Sequence, residues 1–578
     1  MTASDGEPEG AGGAGGAGGA GITGASDGSR IGRASAVMAA GGLASRVLGV
    51  LRQSLIAVAI GQGLVANAFT TANNLPNVIY LVIAGGVLNS VLIPQLVKAS
   101  RAADGGRDYT DRLITITVMG FIVITVLATS AAALLVKMYA ASLTGSLFEL
   151  AVFFAVITLP QIFFYGMYGL LGQVLNARGQ FAAFGWAPAA ANLVAIAGLL
   201  SFMRLFQGHV TAAEWTPAMV WWFAGTPTLS IVVQALILIV PLWRSGFRWR
   251  PRFGVRGVGL GTTSRMAGWA LASLLVAQLG YVLTSQLLWR ATGSDEMRAQ
   301  GAGFVAGNAI WANAILVFMV PHGLVTVSLL TAMYPRISAA VHDRDLASLR
   351  SDYVRGLTMP AAITLPFSVA FIVFALPIMG LLYSSRDPAE VPAAAMALAF
   401  VAMGIMPFGV ETLNQRYFYA YETGPIALGE QLIVTGTAAS ISLTSLLAPP
   451  QWAAPIIGCG LVVGNILASA FGMWRLRLRI GDYDARGVLV AWGKMLLAAI
   501  GAGLVAWVPV IALTGATATW GRMGYAVTLL IAGVMFATVY WMLSTWLQIT
   551  QVDSYLAAII GKLDRRPAGR HRPRGGDS

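Results

Sequence analysis

The sequence predicts an all-α, polytopic membrane protein with about 14 transmembrane helices. Of its 578 residues, 57% are hydrophobic and only 11% are charged, and the mean hydropathy is +0.72. Apolar stretches of roughly 20 residues, the length that crosses a bilayer as a helix, follow one another along most of the chain. Basic residues collect in alternate connections between these stretches, which is typical of membrane topology.

The composition also excludes several classes of protein. Cys459 is the single cysteine, so the chain has neither an intramolecular disulfide framework nor a cysteine-based metal cluster. No spacing resembles a metal site, a Walker loop or a nucleophile triad, and no polar stretch is long enough to fold an ATPase domain. The net charge of +13 lies in short connections, not on a nucleic-acid-binding face. We therefore expect a transporter and not an enzyme, without cofactor, metal or nucleic-acid partner.

The two ends of the chain are predicted to lie outside the bilayer. Residues 1–35 form a Gly/Ala-rich segment with acidic side chains and no apolar stretch, which predicts a disordered tail and no secretory signal. Residues 550–578 carry a basic cluster, expected to be held to anionic lipids at roughly 1 kcal/mol per basic residue.

The predicted spans form two lobes and an additional pair. A basic linker at 244–263 separates an N-lobe at 36–243 from a C-lobe at 264–475, and the last two spans occupy 488–549. The segment that begins at Asn176 resembles the one that begins at Asn414, as expected for related lobes. The spans are placed at 36–61, 64–94, 112–137, 147–174, 182–204, 217–243, 264–290, 303–335, 354–383, 391–419, 425–448, 453–475, 488–513 and 523–549.

The alternation of basic residues predicts the orientation. Connections such as 244–256 and 336–355 are rich in arginine, whereas those on the other side hold few basic residues, among them Lys137, Arg204 and Arg290. By the positive-inside rule the arginine-rich side is cytoplasmic, and both termini lie on it. This orientation requires an even number of spans.

Two arginines, Arg46 and Arg52, lie inside the first predicted span. An ionised guanidinium costs about 3 kcal/mol or more at the bilayer centre, so it persists only where it faces water, protein or an anionic ligand. Its planar fork pairs with phosphate through parallel hydrogen bonds. The two residues are candidates for binding a pyrophosphate. The alternative for Arg46 is that it snorkels to the cytoplasmic interface.

Polar residues at helical spacing mark further spans. Such stripes predict either the lining of a cavity or hydrogen bonds between helices. The candidate cavity-lining residues are Gln53, Asn67, Thr70, Asn74, Asn77, Gln278, Tyr281, Ser285, Asn308 and Asn313. Glycine and proline within spans allow bending, and the candidate hinge or gate residues are Gly49, Pro76, Gly85, Gly86, Pro321 and Gly323.

Acidic residues are rare within the predicted spans. Glu411 and Glu430 are candidates for coupling transport to a proton or sodium ion. The alternative is that Glu411 pairs with a nearby arginine and that Glu430 lies near the cytoplasmic interface. His322 could titrate near neutrality, or it could form a hydrogen bond in a helix-packing site.

Several motifs resemble the opening of the MurJ/MviN family of peptidoglycan lipid II flippases. They are Ser45-Arg46-Val47-Leu48-Gly49, Asn74-Leu75-Pro76-Asn77, Ala84-Gly85-Gly86-Val87-Leu88-Asn89 and Pro94-Gln95-Leu96-Val97, with Pro321-His322-Gly323 in the second lobe. The resemblance implies the MOP/MATE-like exporter fold, with two pseudo-symmetric six-helix lobes around a central cavity and two added helices that form a groove for a polyprenyl tail. It also implies the bacterial plasma membrane, with Arg46 and Arg52 engaging the pyrophosphate.

The sequence departs from many members of that family at several positions. Gln53 and Asn67 stand where acids are common, Tyr80 stands in place of a base, Gly85 replaces a glutamate, and Leu316 stands at the eighth-helix arginine. This pattern resembles the branch of high-GC Gram-positive bacteria. A multi-arginine cluster and charge-pair gating are therefore not expected to carry over.

The resemblance implies a function. The protein is expected to move undecaprenyl-pyrophosphate-linked disaccharide-pentapeptide, lipid II, from the inner to the outer leaflet by alternating access. Its implied partners are lipid II, anionic membrane lipids, and peptidoglycan-synthesis or divisome proteins. The alternatives are a flippase for another polyprenyl-linked glycan, a drug/cation antiporter, which requires essential acids, and a polytopic glycosyltransferase or polymerase, which requires a catalytic acid on an outward loop.

Overall fold

The computed structural model describes residues 23–83, 107–178, 180–206, 212–246, 248–253, 265–293, 304–384, 387, 389–516 and 518–552. The predicted hinge residues Gly85 and Gly86, the first part of the N-terminal tail, the second half of the basic linker and most of the C-terminal tail lie outside these ranges. Regular structure within the described ranges is helical.

The helices follow the predicted spans closely. In chain order they are α1 (Thr23–Ile60), α2 (Leu64–Ile83), α3 (Arg107–Ser130), α4 (Ala132–Tyr139), α5 (Gly145–Thr158), α6 (Gln161–Ala177), α7 (Ala182–Leu205), α8 (Pro217–Leu236), α9 (Ile239–Arg244), α10 (Arg265–Thr292), α11 (Asn308–Pro321), α12 (Val327–His342), α13 (Leu346–Val373), α14 (Ala375–Tyr383), α15 (Glu390–Ala402), α16 (Ile405–Ala420), α17 (Gly424–Leu443), α18 (Ala453–Ile480), α19 (Ala485–Ala516) and α20 (Arg522–Trp546).

The chain is a multi-pass membrane protein. Twelve helical stretches in the described residues are long and apolar enough to cross a bilayer, and the pair α15 and α16, bent by 44°, raises the number to 13. The remaining predicted span is α2, whose asparagines lower its hydropathy and whose described part ends at Ile83. The all-helical, polytopic fold class is thereby confirmed.

Several predicted spans differ from the structure in detail. The third, fourth, sixth, ninth and tenth are each two consecutive helices and not one, and the eighth is two α-helices joined by a π-helical turn. Conversely, α2 runs unbroken through Pro76 and α1 through Gly49, so neither of these predicted hinges is a helix break here. Helix α1 begins at Thr23, inside the segment predicted to be disordered, because each residue added to a helix that is already nucleated gains a hydrogen bond, in spite of the glycines at 24, 28 and 32.

The helices assemble into two lobes and a peripheral pair. Helices α1–α9 pack among themselves as the N-lobe, α10–α18 as the C-lobe, and α19 and α20 pack against α13 and α14. Two helices of the C-lobe approach each other closely. A Cβ on Gly460 would lie 2.9 Å from the carbonyl oxygen of Ala438, and one on Gly464 would lie 2.7 Å from that of Val434. This Gly-x-x-x-Gly stripe lets α17 and α18 pack backbone to backbone, as helices do in lipid.

The two ends of the bundle differ in charge. We call the end that carries Arg178, Arg244, Arg336 and Arg477 the arginine-rich end, and the opposite end the arginine-poor end. Helix α1 runs from the arginine-rich end to the arginine-poor end, and α10 runs the same way.

Candidate functional site

The lobes are joined by buried hydrogen bonds at the arginine-poor end. The backbone N–H of Gln62, in the turn between α1 and α2, donates to both carboxylate oxygens of Glu390, at 3.0 and 3.1 Å. The side-chain amide of Gln62 donates to the carbonyl of Tyr383 at 3.2 Å and accepts from Asn313 at 2.9 Å. These four residues are buried and link the N-lobe to α11, α14 and α15 of the C-lobe.

A second set of contacts caps a helix of one lobe with a side chain of the other. Asn67 Oδ1 accepts a hydrogen bond of 2.8 Å from the backbone N–H of Ala309, in the first turn of α11. This is the role of an N-cap, which satisfies a donor that the helix itself leaves open. Gly307 makes the approach possible, because a Cβ there would overlap the Asn67 amide.

Helix α10 completes the closure. Trp289 Nε1 donates to Thr71 Oγ1 at 3.0 Å, and Ser285 Oγ donates to the carbonyl of Tyr139 at 2.9 Å. Asn308 donates to the carbonyl of Ser285 at 3.5 Å. We call the inter-lobe hydrogen bonds at this end, together with the Asn308–Ser285 bond that joins α10 to α11 beside them, the polar seal.

The polar seal corrects part of the sequence prediction. Asn67, Ser285, Asn308 and Asn313 were predicted to line a cavity, but all four are buried in the seal. Polar side chains in lipid bond to one another across helices when two lobes meet. The four lie on three helices, α2, α10 and α11, and the polar pattern of each helix did not identify its partner.

Packing between the lobes decreases toward the arginine-rich end. On α10, Ser273 is the only buried residue between Arg265 and Thr284, whereas Leu287, Leu288 and Trp289 are buried. On α1, Ser54, Ile56, Ala57 and Ile60 are buried near the arginine-poor end, while Leu43 and Val47 are more than half exposed. The lobes are therefore closed at one end and parted at the other.

A cavity of about 680 Å³ lies between the parted lobes. Its walls come from α1 and α2 of the N-lobe and from α10, α11, α16, α17 and α18 of the C-lobe. The predicted site residues that line it are Arg52, Gln53, Thr70, Asn74, Tyr281 and Glu411. Asn74 donates to the Tyr281 hydroxyl at 2.8 Å, so the two lobes also meet across the cavity wall.

Arg52 is the cationic residue of the cavity wall. It lies near the middle of the membrane-spanning part of α1, Ala40–Ile60. Its buried Nε has no hydrogen-bond partner among the described residues. No described carboxylate lies within ion-pair distance of it, and its electrostatic neighbour is the hydroxyl of Tyr165 on α6. An enclosed guanidinium without a counter-ion makes a strong site for an anion, because the anion supplies the missing partner.

Arg46 lies at the mouth of the cavity and not in its wall. It precedes Arg52 by six residues, which is about 9 Å along the helix axis toward the arginine-rich end. Its side chain is exposed, and its guanidinium reaches across to Gly323 of the C-lobe. A Cβ on Gly323 would lie 2.8 Å from Arg46 Nη1, so the glycine provides the space for this approach.

Gly323 belongs to an irregular segment of the eighth span. Helix α11 ends at Pro321, a π-helical turn covers His322–Thr326, and α12 continues from Val327. The buried His322 ring lies 4.4 Å from the ring of Phe408 and packs there. Single π-turns of this kind occur frequently at functional sites.

The two predicted acidic residues lie in adjacent layers of the C-lobe. Glu411 lines the cavity and accepts a hydrogen bond from Gln415. Glu430 is fully buried behind it and accepts from Asn414 at 3.0 Å, and Asn414 in turn accepts from the Tyr353 hydroxyl at 2.6 Å. Neither glutamate forms an ion pair with a described arginine, contrary to the alternative considered for Glu411.

Two further predicted residues lie outside the cavity wall, and several residues of the wall were not predicted. Asn77 and Gln278 do not line the cavity. Cavity-lining polar residues that the sequence prediction missed are Asn73, Thr284, Thr412, Gln415, Gln431, Thr435, Ser442 and Asn465. Gln431 and Thr435 are four residues apart and hydrogen-bonded at 3.0 Å, a helical spacing that was available as a signal.

The sequence matches known proteins along most of its length. The family model described as lipid II flippase MurJ matches residues 56–543. A "Probable lipid II flippase MurJ" of Synechocystis sp. is 24% identical over 484 residues, covering 82% of this chain and 86% of its own length. The corresponding protein of Haemophilus influenzae is 23% identical over 560 residues, with 90% and 97% covered. The "Lipid II flippase MurJ" of Burkholderia cenocepacia is 26% identical over 387 residues, with 65% and 71% covered.

Solved structures share the fold. The structure entitled "Lipid II flippase MurJ, inward closed conformation" superposes with a TM-score of 0.66 at 15% identity, covering 88% of this chain and 99% of that one. An inward-facing MATE multidrug transporter of the MOP superfamily gives 0.61 at 18% identity, covering 76% and 95%. The expected MOP/MATE-like architecture is thus confirmed, and the family match covers well over half of the chain. The chain belongs to the lipid II flippase MurJ family.

Proposed function

We propose that the protein is a lipid II flippase of the bacterial plasma membrane. It moves the undecaprenyl-pyrophosphate-linked disaccharide-pentapeptide from the inner to the outer leaflet by alternating access. Membership of the flippase family supports this assignment, and a transporter of this kind needs no catalytic group. The arginine-rich end is placed in the cytoplasm by the positive-inside rule, with both termini on that side.

The observation that carries the proposal is the Arg52 guanidinium in the inter-lobe cavity. It lies within a membrane span, lines the cavity and has a buried Nε without a partner among the described residues. A pyrophosphate would supply charge-assisted hydrogen bonds to the fork and cancel its charge. Arg46, about 9 Å nearer the cytoplasmic end, would meet the head group first as it enters.

The described conformation corresponds to the loading state. The polar seal closes the outward end, and the lobes are parted toward the cytoplasm, from where lipid II is supplied. The isoprenoid tail remains in lipid, and we assign to it the exposed apolar faces of α19 and α20. On α19 this face includes Leu497, Leu504 and Val508. Release to the outer leaflet requires the seal to break and the cytoplasmic mouth to close.

We also assign ion coupling to Glu411 and Glu430. The two carboxylates are close enough to interact electrostatically, and two like charges in a low-dielectric lobe repel each other. A proton or sodium ion bound between them relieves that repulsion. Because Glu411 borders the cavity, loading of the ion and of the substrate can affect each other. Substituting each glutamate by glutamine tests this assignment through the dependence of transport on the ion gradient.

Complementation of a flippase-depleted bacterium tests the proposed function. Wild type should restore growth and prevent intracellular accumulation of lipid II, whereas Arg52→Ala should fail and Arg46→Ala should be impaired at equal membrane abundance. Arg475→Ala, which removes a half-buried arginine stacked on Trp474 outside the cavity, is the matched control. Normal growth of both the Arg46 and the Arg52 variant would refute the proposed pyrophosphate site. Accumulation of a different polyprenyl-linked glycan would refute lipid II as the substrate.

A further inference from the structure

The N-lobe contains a second, apolar groove that the flippase mechanism does not use. Its volume is about 300 Å³, and it lies between α3, α6 and the α8–α9 segment. Ile114, Val118, Met167 and Leu171 line its sides, and no lining residue is shared with the central cavity. We call it the apolar groove.

The apolar groove spans one leaflet. Along α6 it extends from Phe163 to Leu171, eight residues or about 12 Å, which approaches the roughly 15 Å depth of one hydrocarbon leaflet. It lies in the half of the bundle next to the arginine-rich end, because α6 and α9 both end there, before Arg178 and at Arg244. Its end is formed by Trp243 and Trp249, the residue type typical of membrane interfaces.

A basic segment is fixed across that end of the groove. Trp249 Nε1 donates to Thr115 Oγ1 at 3.3 Å, and the backbone N–H of Arg252 donates to the same oxygen at 3.1 Å. The backbone N–H of Arg250 donates to Asp111 Oδ1 at 3.3 Å. These bonds tie residues 248–253, here the basic strap, to the first turns of α3.

The basic strap presents positive charge where a lipid head group would lie. The side chains of Arg248, Arg250 and Arg252 are exposed, because the strap is attached mainly through its backbone and through Trp249. Arg248 also donates to the carbonyl of Trp243 at 3.0 Å, which keeps it at the mouth of the groove. The strap carries three arginines, and the backbone N–H of Arg250 contacts the acid Asp111.

We propose that the apolar groove and the basic strap together bind one anionic diacyl phospholipid of the arginine-rich leaflet. An acyl chain fills the groove, and the phosphate lies against the strap arginines. A zwitterionic lipid gains less, because it brings its own cation to the same patch. The substrate's tail is the weaker candidate, since the proposed pyrophosphate site at Arg52 lies in the central cavity and shares no lining residue with the groove. The choice of a phospholipid over the substrate's tail therefore rests on the proposed function.

Native mass spectrometry of the full-length protein tests the lipid site. The detergent-solubilised protein is mixed with equal amounts of dioleoyl phosphatidylglycerol and dioleoyl phosphatidylcholine, and bound lipids are counted. The triple variant Arg248→Gln, Arg250→Gln and Arg252→Gln should weaken phosphatidylglycerol binding about fivefold per arginine, roughly 100-fold in all, with phosphatidylcholine unaffected. Ala235→Phe, which fills the groove, should reduce binding of both lipids; Val118→Phe is a second groove-filling variant.

The matched control removes the same charge elsewhere at the arginine-rich end. Arg475→Gln, Arg477→Gln and Arg479→Gln neutralise the end of α18 and should leave phosphatidylglycerol binding unchanged. An equal loss in this control would overturn the proposal, because charge alone would then explain the binding. So would unchanged phosphatidylglycerol binding in both groove-filled variants, or displacement of phosphatidylglycerol by equimolar undecaprenyl phosphate. Size-exclusion elution and circular dichroism establish that each variant is folded.

Discussion

At the scale of single residues, the central feature is a cation whose environment lacks its counter-ion. Arg52 is placed in the cavity wall by α1, and a ligand phosphate would complete its coordination. The cost of holding this charge in a low-dielectric site is recovered when the anion binds. Such a residue binds its ligand strongly only if the ligand is anionic and presents two oxygens to the guanidinium fork.

Substitutions at Arg52 should separate charge from geometry. Arg52→Lys keeps the charge but loses the fork, and we expect lipid II affinity to fall by roughly tenfold. Arg52→Met removes both and should lower affinity by roughly 100-fold or more. Binding of purified variants to lipid II measures the two effects. Wild-type affinity in Arg52→Met would contradict the assignment.

Gly323 should affect transport through its contact with the Arg46 guanidinium. In Gly323→Ala the new methyl group meets the Arg46 guanidinium, the flexible end of a long side chain, so the protein should fold while Arg46 moves aside. Transport should fall to the level of Arg46→Ala, and the double variant should be no worse, because the two residues act as one unit. Gly49→Ala is the control, since its Cβ would lie at an ordinary 3.8 Å from Asn192. Additive losses in the double variant would contradict the coupling.

The residue scale also shows what could be predicted from the sequence. The position of Arg52 followed from the cost of a charge in lipid, which a single residue reveals. The burial of Asn67 and Asn313 in the polar seal did not follow, because helical spacing identifies a face and not its partner. Gln62 lies in a turn and Glu390 is the first residue of α15, both outside the predicted spans, so no polar stripe marked them.

At the scale of helices, the N-terminus of α11 depends on the opposite lobe. Asn67→Ala removes the acceptor of the Ala309 N–H and should destabilise the sealed state by about 1 kcal/mol, a fivefold shift toward opening at that end. Thiol labelling of Thr292→Cys, a residue buried behind the seal, in a Cys459→Ser background reports the opening rate. Asn67→Asp keeps the acceptor oxygen and should label at the wild-type rate. Unchanged labelling in Asn67→Ala would contradict the cap.

The close contact of α17 and α18 should tolerate no added methyl group. In Gly464→Ala the Cβ meets the carbonyl oxygen of Val434, and backbone cannot move aside cheaply. We expect a loss of about 1–3 kcal/mol of stability, seen as a lower unfolding temperature. Gly436→Ala, with no atom within 4 Å of its Cβ, is the control and should be neutral. Equal unfolding temperatures would contradict the packing argument.

Helix boundaries illustrate the limits of a hydropathy pattern. The apolar run that covers α15 and α16 gave the position of the span but not its 44° bend, because the Met403–Gly404 junction is as apolar as its surroundings. In contrast, Pro76 suggested a break that the helix does not show. A proline removes one hydrogen bond, and neighbouring helices can hold the chain straight around it.

At the scale of the whole molecule, the lobes are closed at the arginine-poor end and parted at the arginine-rich end. Apolar run lengths and arginine alternation predicted the spans, the lobes and the direction of each helix, since both signals are local in sequence. They could not predict which end is closed, because both states of an alternating-access protein use the same sequence. The closed end is defined by particular hydrogen bonds such as Gln62 to Glu390, which only the assembled lobes reveal.

Locking the polar seal should stop transport reversibly. Gln286 of the C-lobe donates to the carbonyl of Met138 in the N-lobe at 2.6 Å, so cysteines at these two positions, in a Cys459→Ser background, should be joined by a short thiol-reactive linker. If the seal must open in every cycle, cross-linking should reduce lipid II translocation nearly to zero, and reduction should restore it. Cysteines at Ser201 and Trp222, which are hydrogen-bonded within the N-lobe, control for the chemistry and should leave transport intact. Continued translocation of lipid II by the cross-linked protein would mean that transport does not require the lobes to separate at the polar seal.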